Sequence, residues 1–425
     1  MIGAGRARVG ILINAYSYSN AGDAAIVISS AEASRTLLGI DQLLVSTRYA
    51  EQDRSRYAAH ALETVAPLVP FASTGELSQA RRLFELVRAL SVALVIGYVA
   101  PHSRRVALSL AVRWLSPTWA FVAQGAAVVL CGGGYFYSSR RRLNMTLVHA
   151  AAQTWLSARL ATSVVMMPQS VGPFHRRWDR ALVRSALRDV RPLVAREEAS
   201  LASFGSRPDL ALCPDIAFLG LEHSPSQERV APAFDLALTV MDWRWAGGSD
   251  QEYERYLAAL RWLLSNAAAS GLRVAVTGHS AMPEHAQDDL AVAEALVRSC
   301  DEQARRTTVV SSDLDVLALR DLYAASRVVV GTRLHSCIMA LAVGSPAVAL
   351  SYQPKTLGTY SMLGLSSWVR QVRSLDGDGL WETVRGMLDD EPASRHEAAV
   401  AVGLAREQIA LTYSDAIIWP VKGEA

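Results

Sequence analysis

The distribution of hydrophobic residues predicts strands and helices that alternate along most of the chain. Short, wholly apolar runs are typical of buried parallel strands, and the longer segments between them have the character of helices. In the first half we predict strands at 9–13, 43–46, 128–131, 163–167 and 193–195, and a helix at 24–38. In the second half we predict strands at 236–240, 273–277, 308–311, 328–330 and 347–350, and helices at 252–268, 284–299 and 314–325. This alternation predicts an α/β protein.

The same alternation occurs in two blocks, separated by a polar, proline-containing segment at 220–232 that we interpret as a linker. A chain of 425 residues is also longer than one ordinary core requires. We therefore predict two doubly wound, Rossmann-like domains, at 1–219 and 233–379, that face each other across a cleft. Helices at 380–425 are expected to pack back across both domains.

Composition excludes several classes of protein. The formal net charge of +2 and the lack of a dense basic stripe argue against nucleic-acid binding. The four cysteines (Cys131, Cys213, Cys300 and Cys337) are far apart in apolar surroundings, so neither a zinc site nor a disulfide framework is indicated. The apolar run at 9–13 is too short for a signal peptide. We expect a cytoplasmic protein with reduced cysteines and no metal.

The most informative chemistry lies between residues 327 and 358. A buried strand is followed by a helix that Thr332 is predicted to cap, which places Thr332, Arg333 and His335 in the first turn. Free backbone N–H groups and the positive end of the helix dipole attract anions there. Lys355 follows the next strand and reaches the same edge of a parallel sheet. The sequence therefore predicts a site for a small, densely anionic molecule.

The motif Gly-Thr-Arg-Leu-His-Ser at 331–336, with Tyr-x-x-Lys at 352–355, resembles the polysaccharide pyruvyl transferase family. Four upstream segments carry the same resemblance, in the family's order and spacing: Asn20-Ala-Gly-Asp23, Cys131-Gly-Gly-Gly134, Pro168-Gln-Ser-Val-Gly-Pro173, and Ala195-Arg-Glu with Ser200 and Pro214-Asp215 behind it. The resemblance covers about residues 9–358. It implies a GT-B-like fold and an enzyme that moves pyruvyl from phosphoenolpyruvate onto two hydroxyls of a sugar, as a ketal. It also assigns the donor to the second domain and the acceptor to the first.

The resemblance and the chemistry of the donor together suggest a role for each residue. Donor-binding residues are expected to be Thr332, Arg333, His335, Ser336, Lys355 and Arg196. We expect Arg333 to grip one anionic group with two hydrogen bonds, while Lys355 and the helix terminus hold the other. His335 is the candidate general acid, although it can also act only as a phosphate ligand. Asp23 is a candidate to orient or deprotonate the acceptor, or simply to pair with a helix dipole. No cofactor is expected besides the co-substrate phosphoenolpyruvate.

Five residues are candidates for the acceptor side or its loops: Asn20, Gly133, Gly134, Gln169 and Gly172. Tight turns that require glycine are an alternative explanation for the three glycines, and a turn is equally an alternative for Gln169. Glu197 and Asp215 are interpreted as structural rather than catalytic, and Ser200 as a packing or capping residue.

The apolar run at 86–100 is followed by Arg104, Arg105 and Arg113, and later by arginines at 140–142. Its 15 residues fall short of the roughly 20 that span a bilayer. Two interpretations stand: a buried helix, or an apolar patch with a cationic rim that rests on the inner face of the membrane. A lipid-linked saccharide acceptor would fit the second interpretation.

Two other classes of function share parts of this pattern. A nucleotide-sugar glycosyltransferase would have the same two-domain fold and could use a helix N-terminus for its diphosphate, but no motif for a base and ribose is found. A non-catalytic polysaccharide-assembly protein is the third class. It has no chemical reason to keep Arg333, His335 and Lys355 together.

Overall fold

The structure is a computed structural model that describes residues 7–71, 79–138, 144–204, 209–221, 232–282 and 287–414. Several sequence predictions fall partly or wholly outside these ranges. Among them are the linker at 220–232, of which 222–231 are not described, the arginines at 140–142, the helix at 284–299, of which 284–286 are not described, and the helices at 380–425, of which 415–425 are not described.

The described chain divides into two compact units. The first unit lies within Met1–Tyr18, Ile26–Ile216 and Gln408–Ala425, and the second comprises Ser19–Ala25 and Ala217–Glu407. The short segment Ser19–Ala25 therefore belongs to the second unit, although the residues on both sides of it belong to the first. Sequence reasoning placed this segment in the N-terminal domain.

The first unit contains two parallel sheets. The larger has the order β3-β2-β1-β4-β6 and the smaller the order β5-β7-β8-β9. Their strands are β1 (Val9–Ile13), β2 (Gln42–Ser46), β3 (Glu63–Val65), β4 (Ala127–Leu130), β5 (Gly133–Phe136), β6 (Val164–Met166), β7 (Gln169–Val171), β8 (Leu193–Ala195) and β9 (Leu210–Leu212). The central strands form the core because their side chains are apolar on both faces, as in β4, where every residue is buried.

Eight α-helices accompany these strands in the described part of the chain before residue 221. They are α1 (Ala21–Thr36), α2 (Arg54–Ala58), α3 (Gln79–Val99), α4 (Arg104–Trp114), α5 (Trp119–Ala123), α6 (Met145–Leu160), α7 (Arg177–Ala186) and α8 (Glu198–Phe204).

The second unit contains a six-stranded parallel sheet with the order β14-β11-β10-β15-β16-β17. Its strands are β10 (Phe234–Thr239), β11 (Val274–Thr277), β14 (Thr308–Ser311), β15 (Ser326–Gly331), β16 (Ala347–Ser351) and β17 (Val369–Gln371), and β12 (Ala281–Met282) and β13 (Gln287–Asp288) form a small antiparallel pair. The helices are α9 (Asp250–Ala269), α10 (Asp289–Arg298), α11 (Glu302–Thr307), α12 (Val316–Ala324), α13 (Leu334–Ala342), α14 (Pro354–Met362), α15 (Gly377–Asp389) and α16 (Glu391–Tyr413).

The strand order of the second unit reverses between β10 and β15, its first and fourth strands in the large sheet. This is the order of a doubly wound Rossmann sheet, and ligands bind such sheets outside the carboxyl ends of the strands at the reversal point. The end of β15 is tied to the end of β10 there, since the backbone N–H of Thr332 donates to the carbonyl of Thr239 at 3.3 Å. The prediction of an α/β fold with two Rossmann-like units is confirmed.

Three predicted helix starts are wrong, each for a local reason. The first helix begins at Ala21 rather than at 24, because the Asn20 side chain accepts the N–H of Gly22 at 3.0 Å and supports an earlier turn. The helix predicted at 284 begins at Asp289, with Asp288 as its N-cap. The helix after β15 is preceded by Arg333 in extended conformation, so Arg333 and not Thr332 is its N-cap.

The C-terminal helices make contacts within each unit. Arg406 on α16 donates to the carbonyls of Phe218 and Ala342 in the second unit. The Tyr413 hydroxyl, at the end of the same helix, donates to the carbonyl of Met166 in the first unit at 2.7 Å. Within the described residues, no helix is both long enough and apolar enough to cross a membrane.

Candidate active site

The guanidinium of Arg333 lies at the carboxyl end of β15 and is held by a carboxylate from another element. Its Nε and Nη2 donate to the two carboxylate oxygens of Asp289 at 2.6 and 2.8 Å. Both side chains are buried, with Arg333 9% and Asp289 1% exposed. Burial lowers the pKa of Arg333, but its hydrogen bonds and attraction to Asp289 outweigh burial and hold that pKa above its ordinary value. The guanidinium is therefore charged and fixed in direction.

This ion pair occupies one edge of the guanidinium that was expected to grip the donor. Sequence reasoning assigned its two-pronged grip to the donor, whereas the structure uses one edge of the guanidinium for Asp289. Arginine has five N–H donors, and the pair uses two of them. The opposite edge, with Nη1 and the second hydrogen of Nη2, is the one that can face a ligand.

Thr332 and Ser336 were predicted to bind the donor, but their hydroxyl groups are engaged inside the fold. The Thr332 hydroxyl lies 2.8 Å from that of Tyr256, and the Ser336 hydroxyl donates to the carbonyl of Arg333 at 2.6 Å. The Ser336 hydroxyl is also 2.8 Å from that of Thr239 on β10. Both residues are buried. These contacts fix the backbone of the motif around Arg333, and donor binding by the two residues stays a prediction.

His335 lies in the first turn of α13, two residues after Arg333, and is partly buried. A glycine of the Asn20-to-Asp23 segment packs directly against it. A Cβ atom added to Gly22 would be 2.9 Å from Nδ1 of His335, closer than real Cβ contacts allow. The absence of a side chain at Gly22 thus leaves room for the imidazole.

The segment that carries Gly22 is joined to the loop after β11 by backbone hydrogen bonds. The N–H of Ala21 donates to the carbonyl of His279 at 3.1 Å, and that of Ala281 donates to the carbonyl of Ser19 at 3.1 Å. Asp23 follows in the first turn of α1 and contributes an electrostatic attraction to Arg333. The structure therefore brings Asn20 and Asp23 to the same unit as Arg333 and His335.

His279 is a further residue of this site that sequence reasoning missed. It is 1% exposed, its backbone N–H donates to Asp289 at 3.2 Å, and its Nδ1 lies 3.3 Å from the Tyr323 hydroxyl. Burial lowers the pKa of His279 well below its ordinary value, and the charges of Arg333 and His335 lower it further. The neutral form of the His279 imidazole is therefore favoured.

Lys355 lies in the first turn of α14, which follows β16. Because β16 pairs in parallel with β15, both strands end at the same edge of the sheet, as predicted. Tyr352, at the end of β16, interacts electrostatically with Arg333. The edge thus carries one fixed guanidinium, one ammonium and one imidazole, a set suited to a ligand with more than one anionic group.

Arg196, predicted to reach the donor, lies instead in a buried network of the first unit. Its Nη1 donates to Asp215 at 2.5 Å, its Nε donates to Ser170 at 2.6 Å, and it forms a longer ion pair of 3.4 Å with Glu197. It is 2% exposed. Burial lowers the pKa of Arg196, but the two carboxylates outweigh burial and raise it. This geometry favours a role in holding the ends of β7 and β8, because two carboxylates already neutralise the guanidinium.

Four other residues were predicted for the acceptor side. Three of them have contacts or backbone angles that explain them within the fold, and the fourth is exposed. Gln169 is fully buried and donates to the carbonyl of Cys131 and, at 2.7 Å, to the hydroxyl of Tyr135. Gly133 and Gly172 adopt positive φ angles of 127° and 88°, which explains why glycine occupies both positions. Gly134 is the exposed member of the group. The positive φ angles therefore account for glycine at 133 and 172, whereas Gln169 lies in β7 with its amide bonded inside the fold.

The groups described at the carboxyl end of β15 and around the first turn of α13 all lie in the second unit. In the part of the chain that the structure describes, there is no group of three or more His, Cys, Asp or Glu side chains placed to hold a metal ion.

The family of the chain follows from a match along most of its length. The sequence model of the polysaccharide pyruvyl transferase family matches residues 20–354, a span that begins at Asn20 and ends just before Lys355. The chain belongs to the polysaccharide pyruvyl transferase family. Both the Asn20-to-Asp23 segment and the Arg333–His335 pair lie within the matched span, so the resemblance drawn from these motifs is confirmed.

The chain is similar in sequence to a protein of polysaccharide biosynthesis and similar in fold to solved structures of other proteins. It is 29% identical over 295 residues to the amylovoran biosynthesis protein AmsJ of Erwinia amylovora, covering 65% of this chain and 68% of that protein. Its fold is similar to that of the UDP-GlcNAc 2-epimerase of Neisseria meningitidis bound to UDP-GlcNAc (TM-score 0.53, 10% identity, 95% and 98% of the two chains). It is equally similar to the sucrose-phosphate synthase of Thermosynechococcus elongatus (TM-score 0.53, 13% identity, 96% and 98%). At such low identities these structures support the fold alone.

Proposed function

We propose that this family member transfers the pyruvyl group of phosphoenolpyruvate to two hydroxyls of a sugar in a cell-surface polysaccharide or its lipid-linked precursor. The products are a cyclic ketal and phosphate. The observation that carries the proposal is the buried Asp289–Arg333 pair, which fixes a charged guanidinium on the N-cap residue of α13, the helix whose first turn carries His335. The family match and the relative in amylovoran biosynthesis support a polysaccharide as the acceptor.

The donor carries a carboxylate and a phosphate on adjacent positions, so its binding requires cations directed at two places. The outer edge of Arg333 can hold one group with two N–H donors, in the geometry that a planar guanidinium offers to carboxylate and phosphate. The first-turn amides of α13 and the ammonium of Lys355 supply the second cationic region. Because Asp289 already fixes Arg333, little side-chain freedom is lost when the donor binds.

The chemistry begins with protonation of the methylene carbon of phosphoenolpyruvate, which becomes a methyl group and leaves a cationic centre at C2. His335 is the proposed acid. One sugar hydroxyl adds to C2, and its proton restores the acid. The second hydroxyl then displaces phosphate, which leaves with the remaining proton, so the ketal forms without an oxidant or reductant. Asp23, close enough to Arg333 to attract it, is the proposed group that orients the attacking hydroxyl.

A nucleotide-sugar glycosyltransferase is the second candidate function. It is favoured by the similarity in fold to an epimerase bound to UDP-GlcNAc and to sucrose-phosphate synthase. Its diphosphate would use the same helix terminus of the second unit.

Thermal unfolding with each ligand separates the two candidates. A ligand that binds only the folded protein raises the melting temperature in proportion to the logarithm of its concentration over its Kd. We expect phosphoenolpyruvate to raise it and uridine diphosphate to leave it unchanged. Arg333→Lys should lose most of the shift, because a point charge cannot contact Asp289 and the donor as the guanidinium does. Stabilisation by uridine diphosphate alone would favour the glycosyltransferase.

A further inference from the structure

The helices α3 and α4 expose a large apolar surface on the first unit. On α3 the exposed side chains include Phe84 (64%), Val87 (53%), Leu94 (63%), Val95 (61%) and Tyr98 (77%). Their spacing of three, four and seven residues places them on one face of the helix. A soluble helix ordinarily turns this face toward a core, so its exposure indicates a surface that contacts something else.

The opposite face of α3 is already used by the fold. Leu86, Ala89, Ala93 and Ile96 are buried there, and the last three belong to the core cluster of the first unit. Gly97 lies so close to α6 that a Cβ atom would overlap the ring of Trp155. The core of the first unit therefore packs against the buried face of α3 and not against the exposed one. This packing fixes the helix with its exposed face toward solvent.

The helix α4 follows after four residues, packs against α3 and continues the same surface character. Val106 and Trp114 are half exposed, and Arg105 and Arg113 are exposed beside them. Its buried face is formed by Ala107, Leu108 and Ala111. Tyr98 and Trp114 are residues of the amphipathic type that is enriched where membranes meet water. We refer to the outward faces of α3 and α4 together as the α3–α4 face.

Charge distinguishes an anionic membrane from other occupants of this face. Residues 79–114 contain six arginines and one glutamate, a formal charge of +5, whereas the whole chain has a formal net charge of +2. The glutamate, Glu85, is paired with Arg88 at 2.9 Å. A second copy of the chain would bring the same positive face against itself, which like charges oppose.

We propose that the α3–α4 face docks the protein on an anionic bilayer surface, with the axis of α3 lying in the interface and no segment of it crossing. Peripheral binding of this kind requires apolar insertion together with cationic attraction, because either alone is marginal. A membrane-seated enzyme would meet a lipid-linked acceptor without releasing it. The docking itself does not depend on the proposed pyruvyl transfer.

Sedimentation with vesicles, without donor or acceptor, tests this proposal. The full chain should sediment with vesicles of mixed phosphatidylglycerol and phosphatidylcholine at low salt, detach as ionic strength rises, and ignore pure phosphatidylcholine. The triple variant Val87→Ser, Leu94→Ser, Val95→Ser should lose binding. Arg88→Gln, Arg105→Gln, Arg113→Gln should weaken it by on the order of 100-fold, about fivefold for each arginine. Arg104 is left unchanged, because its Nε donates to the carbonyl of Leu160 at 2.7 Å.

Matched control variants use exposed residues elsewhere. Val400→Ser, Leu404→Ser, Leu411→Ser removes comparably exposed apolar groups from α16, and Arg298→Gln, Arg306→Gln, Arg385→Gln removes three exposed arginines. Both controls should bind vesicles as the unaltered protein does. The proposal is overturned if the protein ignores anionic vesicles at every salt concentration. It is also overturned if the serine variant of α3 still binds anionic vesicles. The same holds if these substitutions abolish a dimer of the protein and leave vesicle binding unchanged. None of these results would bear on pyruvyl transfer.

Discussion

The carboxylate of Asp289 holds the guanidinium of Arg333 through two hydrogen bonds of 2.6 and 2.8 Å, although the residues are 44 positions apart in the chain. Asp289 begins α10, and Arg333 precedes α13 across the sheet of the second unit. A buried arginine with this partner is charged and held in one direction before any ligand arrives. The proposed mode of donor binding depends on that relationship.

Asp289→Asn should weaken both the fold and donor binding. Removing one partner of a buried ion pair leaves an uncompensated charge, which costs about 3–5 kcal/mol. We expect the free energy of unfolding, measured by urea titration, to fall by that order, and the thermal shift caused by phosphoenolpyruvate to shrink. Glu302→Gln is the matched control, since its pair with Arg306 is exposed on both sides and such pairs contribute at most about 1 kcal/mol. Equal stability of the two variants would show that Asp289 does not hold Arg333 in this way.

His335→Asn should separate chemistry from binding. A positioned general acid contributes roughly 10²–10⁴-fold to rate, so kcat should fall by that order while the thermal shift from phosphoenolpyruvate is largely kept. Steady-state phosphate release measures kcat, and thermal unfolding measures donor binding. A variant that retains kcat but loses donor binding would instead make His335 a phosphate ligand.

Gly22→Ala tests whether the Asn20-to-Asp23 segment shapes the site. The new methyl group would lie 2.9 Å from Nδ1 and 3.0 Å from Cβ of His335, so the imidazole must shift. Since misplacement by about 1 Å can cost on the order of 100-fold in rate, we expect a loss of that order with the fold retained. Gly403→Ala, a helical glycine with open space around its Cβ position, should keep full activity. If the two variants are equally active, Gly22 has no role in placing His335.

Two buried histidines predict that the fold loses stability in mild acid. Burial lowers the pKa of His149 to about 4, with Arg48 adding a smaller effect, and lowers that of His279 well below its ordinary value. The unfolded chain takes up protons near pH 6.5, whereas the folded chain does not, so stability falls as pH drops below about 6.5. At pH 5.5 the neutral His149 costs about 1.4 kcal/mol relative to neutral pH, and His279 acts in the same direction.

The variant His149→Gln keeps a donor for the carbonyl of Val69, which the imidazole contacts at 2.7 Å. Urea unfolding at pH 7.5 and 5.5 should show a smaller difference in this variant than in the unaltered protein, by about the contribution of one histidine. An unchanged difference would mean that His149 does not carry the effect.

The sequence predicted the sheets well because buried parallel strands are short and apolar, as in 193–195, which the structure matches as Leu193–Ala195. For the same reason it predicted correctly that Arg333 and Lys355 lie at one edge of the sheet, since each follows such a strand. It could not predict partners distant in the chain. Asp289 was placed inside a helix rather than at its start, and the pair Asp288-Asp289, both good residues for a helix start, was the available signal.

Hydroxyl and glycine positions were harder to interpret for a different reason. Thr332 and Ser336 lie in the motif, but their hydroxyl groups bond to Tyr256, Thr239 and a backbone carbonyl, contacts that only the folded sheet creates. Gly22 precedes Asp23 without any local requirement for glycine, because the requirement comes from His335 more than 300 residues later in the chain. A motif reveals that its residues matter, and tertiary contacts decide which of them face the ligand.

The most direct test of the central proposal is incubation of the full chain with phosphoenolpyruvate and a panel of free and lipid-linked glycans, with phosphate release and glycan mass measured together. We predict that phosphate appears only with an accepted glycan and that the same glycan gains the mass of pyruvic acid less one water, as ketal formation at two hydroxyls requires. Arg333→Ala should abolish both signals. Transfer of a sugar from a nucleotide donor, with no ketal formed from phosphoenolpyruvate on any glycan, would contradict the proposed function.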